Sequence, residues 1–177
     1  MEITTMEKFL KEKIRDLPDW PKEGVIFRDI TTVLKDPEAF RAAIDGLLNI
    51  VGGIEFDAIA AMESRGFIFG SVIAYLTRKA FIPIRKPGKL PCETVKKTYK
   101  LEYGTDTIEM HKDAVKPGMK VLILDDLIAT GGSARATADL VEEMHGKVAA
   151  FVFLIELTFL HGRDKLEGYE VYSIVKY

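Results

Sequence analysis

One cysteine, Cys92, stands in 177 residues, which excludes an internal disulfide and fits a reducing cytosol. Neither sign of charge is in excess: 25 Lys and Arg against 27 Asp and Glu leave a net charge of -2. That balance gives no overall attraction to nucleic acid or to an anionic membrane, so neither is expected as a partner. No apolar run approaches the length of a bilayer span. The opening MEITTMEKFLKEKIRDL is charged throughout and has no apolar core of the signal-peptide kind, so a cytoplasmic location is expected. Internal repeats, linkers and low-complexity segments are lacking as well. With 47% apolar residues, the chain can fill one core and is short of two ordinary domains; a single domain over residues 1–177 is expected.

What is present has a clear rhythm. Met6, Phe9, Leu10, Ile14 and Leu17 recur at helical spacing, which predicts an amphipathic helix over residues 5–17 that stops at Pro18. DWPKEGVIFRDITTVL reads as a loop and a short strand. Asp36-Pro37-Glu38 is a helix start, with Phe40, Ile44, Leu47, Leu48 and Val51 marking its buried face. Short apolar runs then alternate with helical segments: FDAIAAM, FIFGSVIAYLTRKA, FIPI, KVLILDD, SARATADLVEEMHG, VAAFVFLIEL and YEVYSIVKY. The fold class is therefore α/β, a mostly parallel twisted sheet flanked by helices. Ligands of such sheets bind beyond the carboxyl ends of the strands, where ESRG and DDLIATGG fall. Residues 87–111 interrupt the rhythm. Tyr99, Leu101 and Tyr103 alternate with Lys100 and Glu102, and Gly104-Thr105-Asp106 can turn the chain back, so this segment reads as a hairpin and a candidate lid.

The stretch VLILDDLIATGGSA, residues 121–134, carries the most chemistry. Glycines at a strand-to-helix junction let successive N–H groups converge beside the positive helix end, which makes an anion site. Ala129, Thr130, Gly131, Gly132 and Ser133 form that junction, and Thr130 and Ser133 add hydroxyl donors. The triphosphate-loop pattern is missing, so one phosphate monoester suits it better than an ATP tail. Asp125 and Asp126 are acceptor-only groups that match a pair of vicinal hydroxyls. Two acids or two glycines alone would be an ordinary strand end and turn; in this order they describe a site for ribose 5-phosphate. Glu63-Ser64-Arg65-Gly66 is a second strand-to-helix loop able to bind an anion. Between Arg78 and Lys100 there are eight basic residues and one acid, Glu93, a local positive field in a balanced chain.

VLILDDLIATGGSA resembles the phosphoribosyl pyrophosphate signature of type I phosphoribosyltransferases. With PKEGVIFRDI, ESRGFIFG, IRKPGKLP running to YKLEYG, and ELTFLHGRDKL in that order, nearly the whole chain resembles the adenine phosphoribosyltransferase family. The resemblance implies the type I fold with an N-terminal base-binding hood (1–35) and a flexible lid (87–111). It implies adenine and phosphoribosyl pyrophosphate as substrates, AMP and pyrophosphate as products, Mg2+ carried mainly by the substrate with no protein metal ligands, and a homodimer. Asp125 and Asp126 would hold the ribose hydroxyls and 129–133 the 5-phosphate. Ser64, Arg65, Lys86 and Lys89 would meet pyrophosphate, Lys86 ahead of Lys89. Ile26 and Arg28 would read the purine edge through their backbone, with Phe27 and Leu157 packing on its two faces. Glu102, on the lid, would meet a ring proton as the base attacks, and Tyr103 would help cover the site. His111, His145 and His161 fall outside every motif. Two rival readings are a transferase for an oxopurine, against which GVIFRD and LEYG argue, and a non-catalytic module that binds phosphoribosyl pyrophosphate as a signal. The second would ordinarily carry a nucleic-acid-binding domain, for which there is no room here.

Overall fold

The computed structural model describes residues 3–100 and 104–177. The chain opens with helix α1 (Ile3–Lys13), an antiparallel hairpin of β1 (Arg15–Pro18) and β2 (Ile26–Asp29), a single turn α2 (Thr31–Leu34) and helix α3 (Pro37–Val51). Strand β3 (Ala58–Met62), helix α4 (Arg65–Thr77) and strand β4 (Ala80–Ile84) follow. A second antiparallel hairpin comprises β5 (Thr94–Lys100) and β6 (Thr105–His111). Strand β7 (Lys120–Ile128), helix α5 (Gly132–Glu143), strand β8 (Lys147–Glu156), two 3-10 turns and strand β9 (Val171–Lys176) complete it. The five strands β4-β3-β7-β8-β9 pair in that order, all parallel, as the alternation of apolar runs and helices predicts.

Strand alternation sends neighbouring side chains to opposite faces of the sheet, so buried parallel strands read as continuous apolar runs. In β7, Leu122 and Leu124 join the core under α1, α3 and α4, with Leu10, Leu47, Phe69 and Ile73. Val121 and Ile123 join the core under α5 and the second hairpin, with Ile108, Met110, Leu140 and Val141. Asp36 caps α3 as its sequence predicts: its Oδ1 accepts from Glu38 N at 3.0 Å and Ala39 N at 3.2 Å, an arrangement that stabilises a helix by about 1 kcal/mol. Among the described residues no helix is long and apolar enough to cross a membrane.

Three expectations need correction. The first helix ends at Lys13, four residues early, because Arg15–Pro18 is captured by β2 instead. Leu17 sits across from Phe27, and Arg15 Nε donates to Asp29 Oδ2 at 3.0 Å; cross-strand pairing overrides the helical spacing. The strand run KVLILDD does not end at Asp126: β7 runs on to Ile128 and keeps pairing with β8, so both acids lie within the strand. The helix expected over 67–80 starts at Arg65 and stops at Thr77, where Arg78 turns left-handed (φ 56°) and Ala80 opens β4. The turns at Thr158–Leu160 and Gly162–Leu166 carry no hydrophobic periodicity and were not foreseen.

Candidate active site

The chain leaves β3 for β4 on one side and meets β7 on the other. The carboxyl ends of β3 and β7 thus flank a topological switch point, the usual ligand crevice of an open α/β sheet. Residues 63–66 enter it from β3 and residues 129–133 from β7. The second loop is fixed by main chain against main chain. Gly131 takes φ +73°, and a Cβ there would lie 2.2 Å from the carbonyl oxygen of Gly162. A Cβ on Gly162 would in turn lie 2.3 Å from the carbonyl oxygen of Ala129. Both positions therefore require glycine. The N–H groups of Thr130 and Gly131 donate to no protein group among the described residues, and those of Gly132 and Ser133 open α5. The Thr130 and Ser133 hydroxyls likewise have no partner among the described residues. Four free N–H groups and two hydroxyls at a helix start form an anion cradle.

Asp125 and Asp126 continue the two faces of β7, yet both meet the first turn of α4. Asp125 Oδ1 comes so close to Gly66 that a Cβ there would lie 2.6 Å away. Arg65 Nε lies 2.9 Å from Asp126 Oδ2, although this oxygen receives no well-directed hydrogen bond. Burial raises the Asp125 carboxyl well above the usual carboxylate range, and the adjacent Asp126 charge adds to this. Burial also raises Asp126, with Arg65 opposing it. Hydroxyl donors arriving at this pair would relieve an electrostatic cost already present in the fold.

Each expected pyrophosphate-side cation is held by a carboxylate. Arg65 faces Asp126, Lys86 pairs with Asp106, and Lys89 Nζ lies 2.6 Å from Glu63 Oε1. Glu63 also accepts from Arg85 Nε at 2.7 Å. Burial alone would raise Glu63, but the hydrogen bonds from Lys89 and Arg85 outweigh it and keep the group below its ordinary value. Asp106 accepts from Tyr99 OH at 3.1 Å, and a Cβ on Gly132 would stand 3.1 Å from the Tyr99 ring. Through Tyr99 the hairpin rests on the anion cradle. The Glu63–Ser64 peptide is cis. Ser64 itself is exposed, with no side-chain cap bond.

The β1–β2 hairpin docks over the same edge. The Phe27 ring meets Trp20 edge-on at 4.4 Å and lies 5.1 Å from the Arg65 guanidinium. Arg28 pairs with Asp16 and stacks 3.7 Å from the Tyr177 ring centre. Strand β2 pairs only with β1 among the described residues, so one backbone edge is open, and Ile26 and Arg28, two apart, share an edge. Leu157 is buried and its N–H donates to Ile128 O at 3.0 Å, beside the cradle. Among the described residues no three His, Cys, Asp or Glu side chains converge as a metal site.

Comparison with known proteins gives this geometry its family. Residues 29–176 match the phosphoribosyl transferase domain. A relative in Lachnoclostridium phytofermentans, an adenine phosphoribosyltransferase, is 56% identical over 96% of this chain and 98% of its own length. The crystal structure of adenine phosphoribosyltransferase from Thermoanaerobacter pseudethanolicus superposes with TM-score 0.94 at 53% identity, covering 96% of this chain and 99% of that one. The Saccharomyces cerevisiae enzyme, solved with an imino-altritol bisphosphate and adenine, gives TM-score 0.90 at 39% identity, over 97% of this chain and 99% of that one. The chain belongs to the adenine phosphoribosyltransferase family. Its sheet and helices are the type I phosphoribosyltransferase fold.

Within that family frame the expected residues divide. The fold brings together Phe27, Arg65, Asp125 and Asp126, and links Lys86 through Asp106 and Tyr99 to Gly132. Lys89 is turned onto Glu63. Glu102 and Tyr103 lie outside the described residues. Sequence reasoning gave no role to Gly162, Asp106 or Tyr177. HGRD held the only signal for Gly162, a glycine beside a charged pair in a segment without periodicity.

Proposed function

We propose that this chain joins adenine to phosphoribosyl pyrophosphate, releasing AMP and pyrophosphate, and so serves purine salvage. The observation that carries the reading is the carboxyl-edge crevice, where a glycine-fixed anion cradle follows two adjacent acids, of which Asp126 is buried, and faces a cationic loop. The cradle of 130–133 takes the 5-phosphate, and Asp125 and Asp126 accept from the ribose hydroxyls. Arg65, Lys86, Lys89 and the Ser64 turn receive pyrophosphate. The open edge of β2 supplies alternating donors and acceptors at Ile26 and Arg28. That pattern suits adenine, and an oxopurine would leave buried groups unpaired. Phe27 and Leu157 cover the two ring faces.

In the reaction the anomeric C–O bond to pyrophosphate breaks and a C–N bond to the purine forms, with the purine ring proton passing to Glu102. The sugar is cation-like between these events and would be captured by water in an open site. The β5–β6 hairpin, with Tyr103, serves as the lid, and the β1–β2 hairpin as the hood of one domain. Mg2+ would ride mainly on substrate oxygens, as this hard ion commonly does, and supplies charge neutralisation of the leaving pyrophosphate when bound. We assign the enzyme to the cytoplasm as a homodimer. Helix α4 supports the dimer: its sequence RGFIFGSVIAYLT is apolar nearly all round, and Tyr75 and Leu76 remain 82% and 48% exposed.

The test is turnover with phosphoribosyl pyrophosphate, Mg2+ and each purine base, for wild type and Glu102→Gln. Adenine alone should react, with kcat in the variant lower by about 10²–10³-fold. Preference for an oxopurine would defeat the base-pocket reading. Tight binding of phosphoribosyl pyrophosphate without turnover would favour the signal-binding module.

A further inference from the structure

The most buried carboxylate among the described residues belongs to none of the groups above. Glu109, in the middle of β6, is 1% exposed. Three of its partners, Arg85, Gly88 and Leu90, lie in the loop 85–91 that leaves the carboxyl end of β4 and carries Lys86 and Lys89. Arg85 N donates to Glu109 O at 3.0 Å, and Glu109 N donates to Arg85 O at 2.7 Å. Glu109 Oε1 accepts from Gly88 N at 2.9 Å and from Leu90 N at 3.2 Å. The N–H groups on either side of Lys89 thus converge on one oxygen. The other oxygen accepts from Thr94 Oγ1 at 3.3 Å and lies 3.4 Å from Lys96 Nζ.

Other groups hold the ends and side chains of this loop, Glu63 through Arg85 and Lys89 and His111 through the Pro91 carbonyl, but the turn between Lys86 and Pro91 gives its backbone donors to Glu109. Pro87 and Pro91 have no N–H to donate, Gly88 sits at φ +81°, and the internal bonds are Lys89 N to Lys86 O at 3.3 Å and Arg85 Nη1 to Lys89 O at 3.1 Å, neither of which uses the Gly88 or Leu90 N–H. The Gly88 and Leu90 N–H groups have no acceptor inside the loop, and a turn keeps its shape when an outside group satisfies such donors. Burial by itself would raise the Glu109 carboxyl, but the Leu90 backbone bond and Lys96 outweigh this and hold it below its ordinary value. It is therefore a permanent acceptor near neutral pH. Neither the Lys86 nor the Lys89 ammonium touches it: these reach Asp106 and Glu63. Within the loop the negative charge consequently acts on the backbone and leaves the Lys86 and Lys89 ammonium groups for other partners.

We propose that Glu109 is the positioning residue for the pyrophosphate side, folding loop 85–91 around its carboxylate so that Lys86 and Lys89 face the crevice. It also ties that loop to the hairpin, because β6 carries it. The inference rests on the pyrophosphate role proposed for Lys86.

Three variants separate grip from mere burial. Glu109→Gln keeps a carbonyl oxygen for Gly88 and Leu90. Glu109→Asp keeps the charge but falls one methylene short of them. Glu109→Ala removes both. Steady-state constants for each substrate, with pyrophosphate and AMP binding measured separately, give the readout. Glu109→Ala and Glu109→Asp should raise KM for phosphoribosyl pyrophosphate and weaken pyrophosphate binding at least 10-fold. KM for adenine and AMP binding should stay within about 2-fold, and Glu109→Gln should recover most of the loss. If Glu109→Ala does not fold, the Asp and Gln pair decides alone. Glu109→Gln failing as badly as Glu109→Asp, or all four constants drifting together, would overturn the proposal. Lys86→Ala is the control: unchanged pyrophosphate affinity there would overturn the loop's role, while adenine turnover by wild type would still uphold the reaction.

Discussion

The loop at 129–133 is held by backbone against backbone, whereas the cations across the crevice are each held by a carboxylate. On the first side Gly131 and Gly162 press together with no room for a Cβ, and the N–H groups of Thr130 and Gly131 have no acceptor among the described residues. A phosphate bound there, as proposed, would displace none of the described partners. On the second side Arg65, Lys86 and Lys89 sit on Asp126, Asp106 and Glu63, so pyrophosphate bound there, as proposed, would have to replace existing partners. The Lys86 and Lys89 pairs are partly exposed, and such pairs contribute only about 0–1 kcal/mol each. Exchange is therefore cheap. Preorganisation suits the group that stays with the sugar throughout, and exchangeable pairing suits the group that departs.

The sharpest way to break this contrast is Gly131→Ala. The methyl group would stand against the Gly162 carbonyl, in a left-handed backbone that costs a further ~1–2 kcal/mol for an L-residue. Relief requires the loop to shift, and its converging donors shift with it. Loss of one such donor costs about 10²–10³-fold in other enzymes. We expect kcat/KM for phosphoribosyl pyrophosphate to fall by at least that much, with adenine binding retained. Titration of ribose 5-phosphate into the variant checks it, and unchanged affinity would show that the close approach has no bearing on the cradle.

The two sides also differ in how much of them was legible in the sequence. The cradle is local: strand, acids, glycines and helix follow one another in VLILDDLIATGGSA, and periodicity alone located the sheet that presents them. What periodicity could not give is what touches the cradle from elsewhere. Gly162 arrives from thirty-one positions along the chain, and Tyr99 from a hairpin. On the pyrophosphate side the cations were legible as a charge bias, but their counter-ions were not. Asp106 looked like a turn residue and Glu109 drew no reading at all, because pairing across a hairpin has no signature in a single sequence. The first helix was over-extended for the same reason, since Leu17 answers to Phe27 in β2 and not to Ile14.

Lys86→Ala and Asp106→Asn probe the exchangeable side from opposite ends. Removing the cation should raise KM for phosphoribosyl pyrophosphate about 10-fold, the value of roughly 1.4 kcal/mol of charge-assisted contact. Removing the counter-ion should lower it by about 2–5-fold, because Lys86 no longer has to leave a partner. Initial rates against phosphoribosyl pyrophosphate at fixed adenine measure both. A rise in KM for Asp106→Asn would mean that Asp106 orients Lys86 and does not compete for it.

The smallest effect expected concerns the acid pair, and it appears in the free protein. Asp125 is pushed well above the ordinary carboxylate range by burial and by Asp126. A carboxyl whose folded value is raised stabilises the fold fully below its unfolded pKa of about 3.9, and that contribution is lost as pH rises through the folded value. At neutral pH the charged pair is a cost, which Asp125→Asn removes while keeping an acceptor for Asp126 N, now 2.9 Å from Asp125 Oδ1. The variant should therefore melt about 2–4 °C higher than wild type at neutral pH, the shift expected for ~1 kcal/mol in a chain of this size. The gap should close as pH falls towards the unfolded carboxylate range. Phosphoribosyl pyrophosphate should reverse the order, stabilising wild type more than the variant, since the ribose hydroxyls need acceptors that the amide only half supplies. Melting curves across pH, with and without ligand, decide it. A variant that melts lower than wild type at neutral pH would show that the pair is already relieved by its surroundings, and that the acids, unlike the lysines, hold no free energy in reserve for substrate.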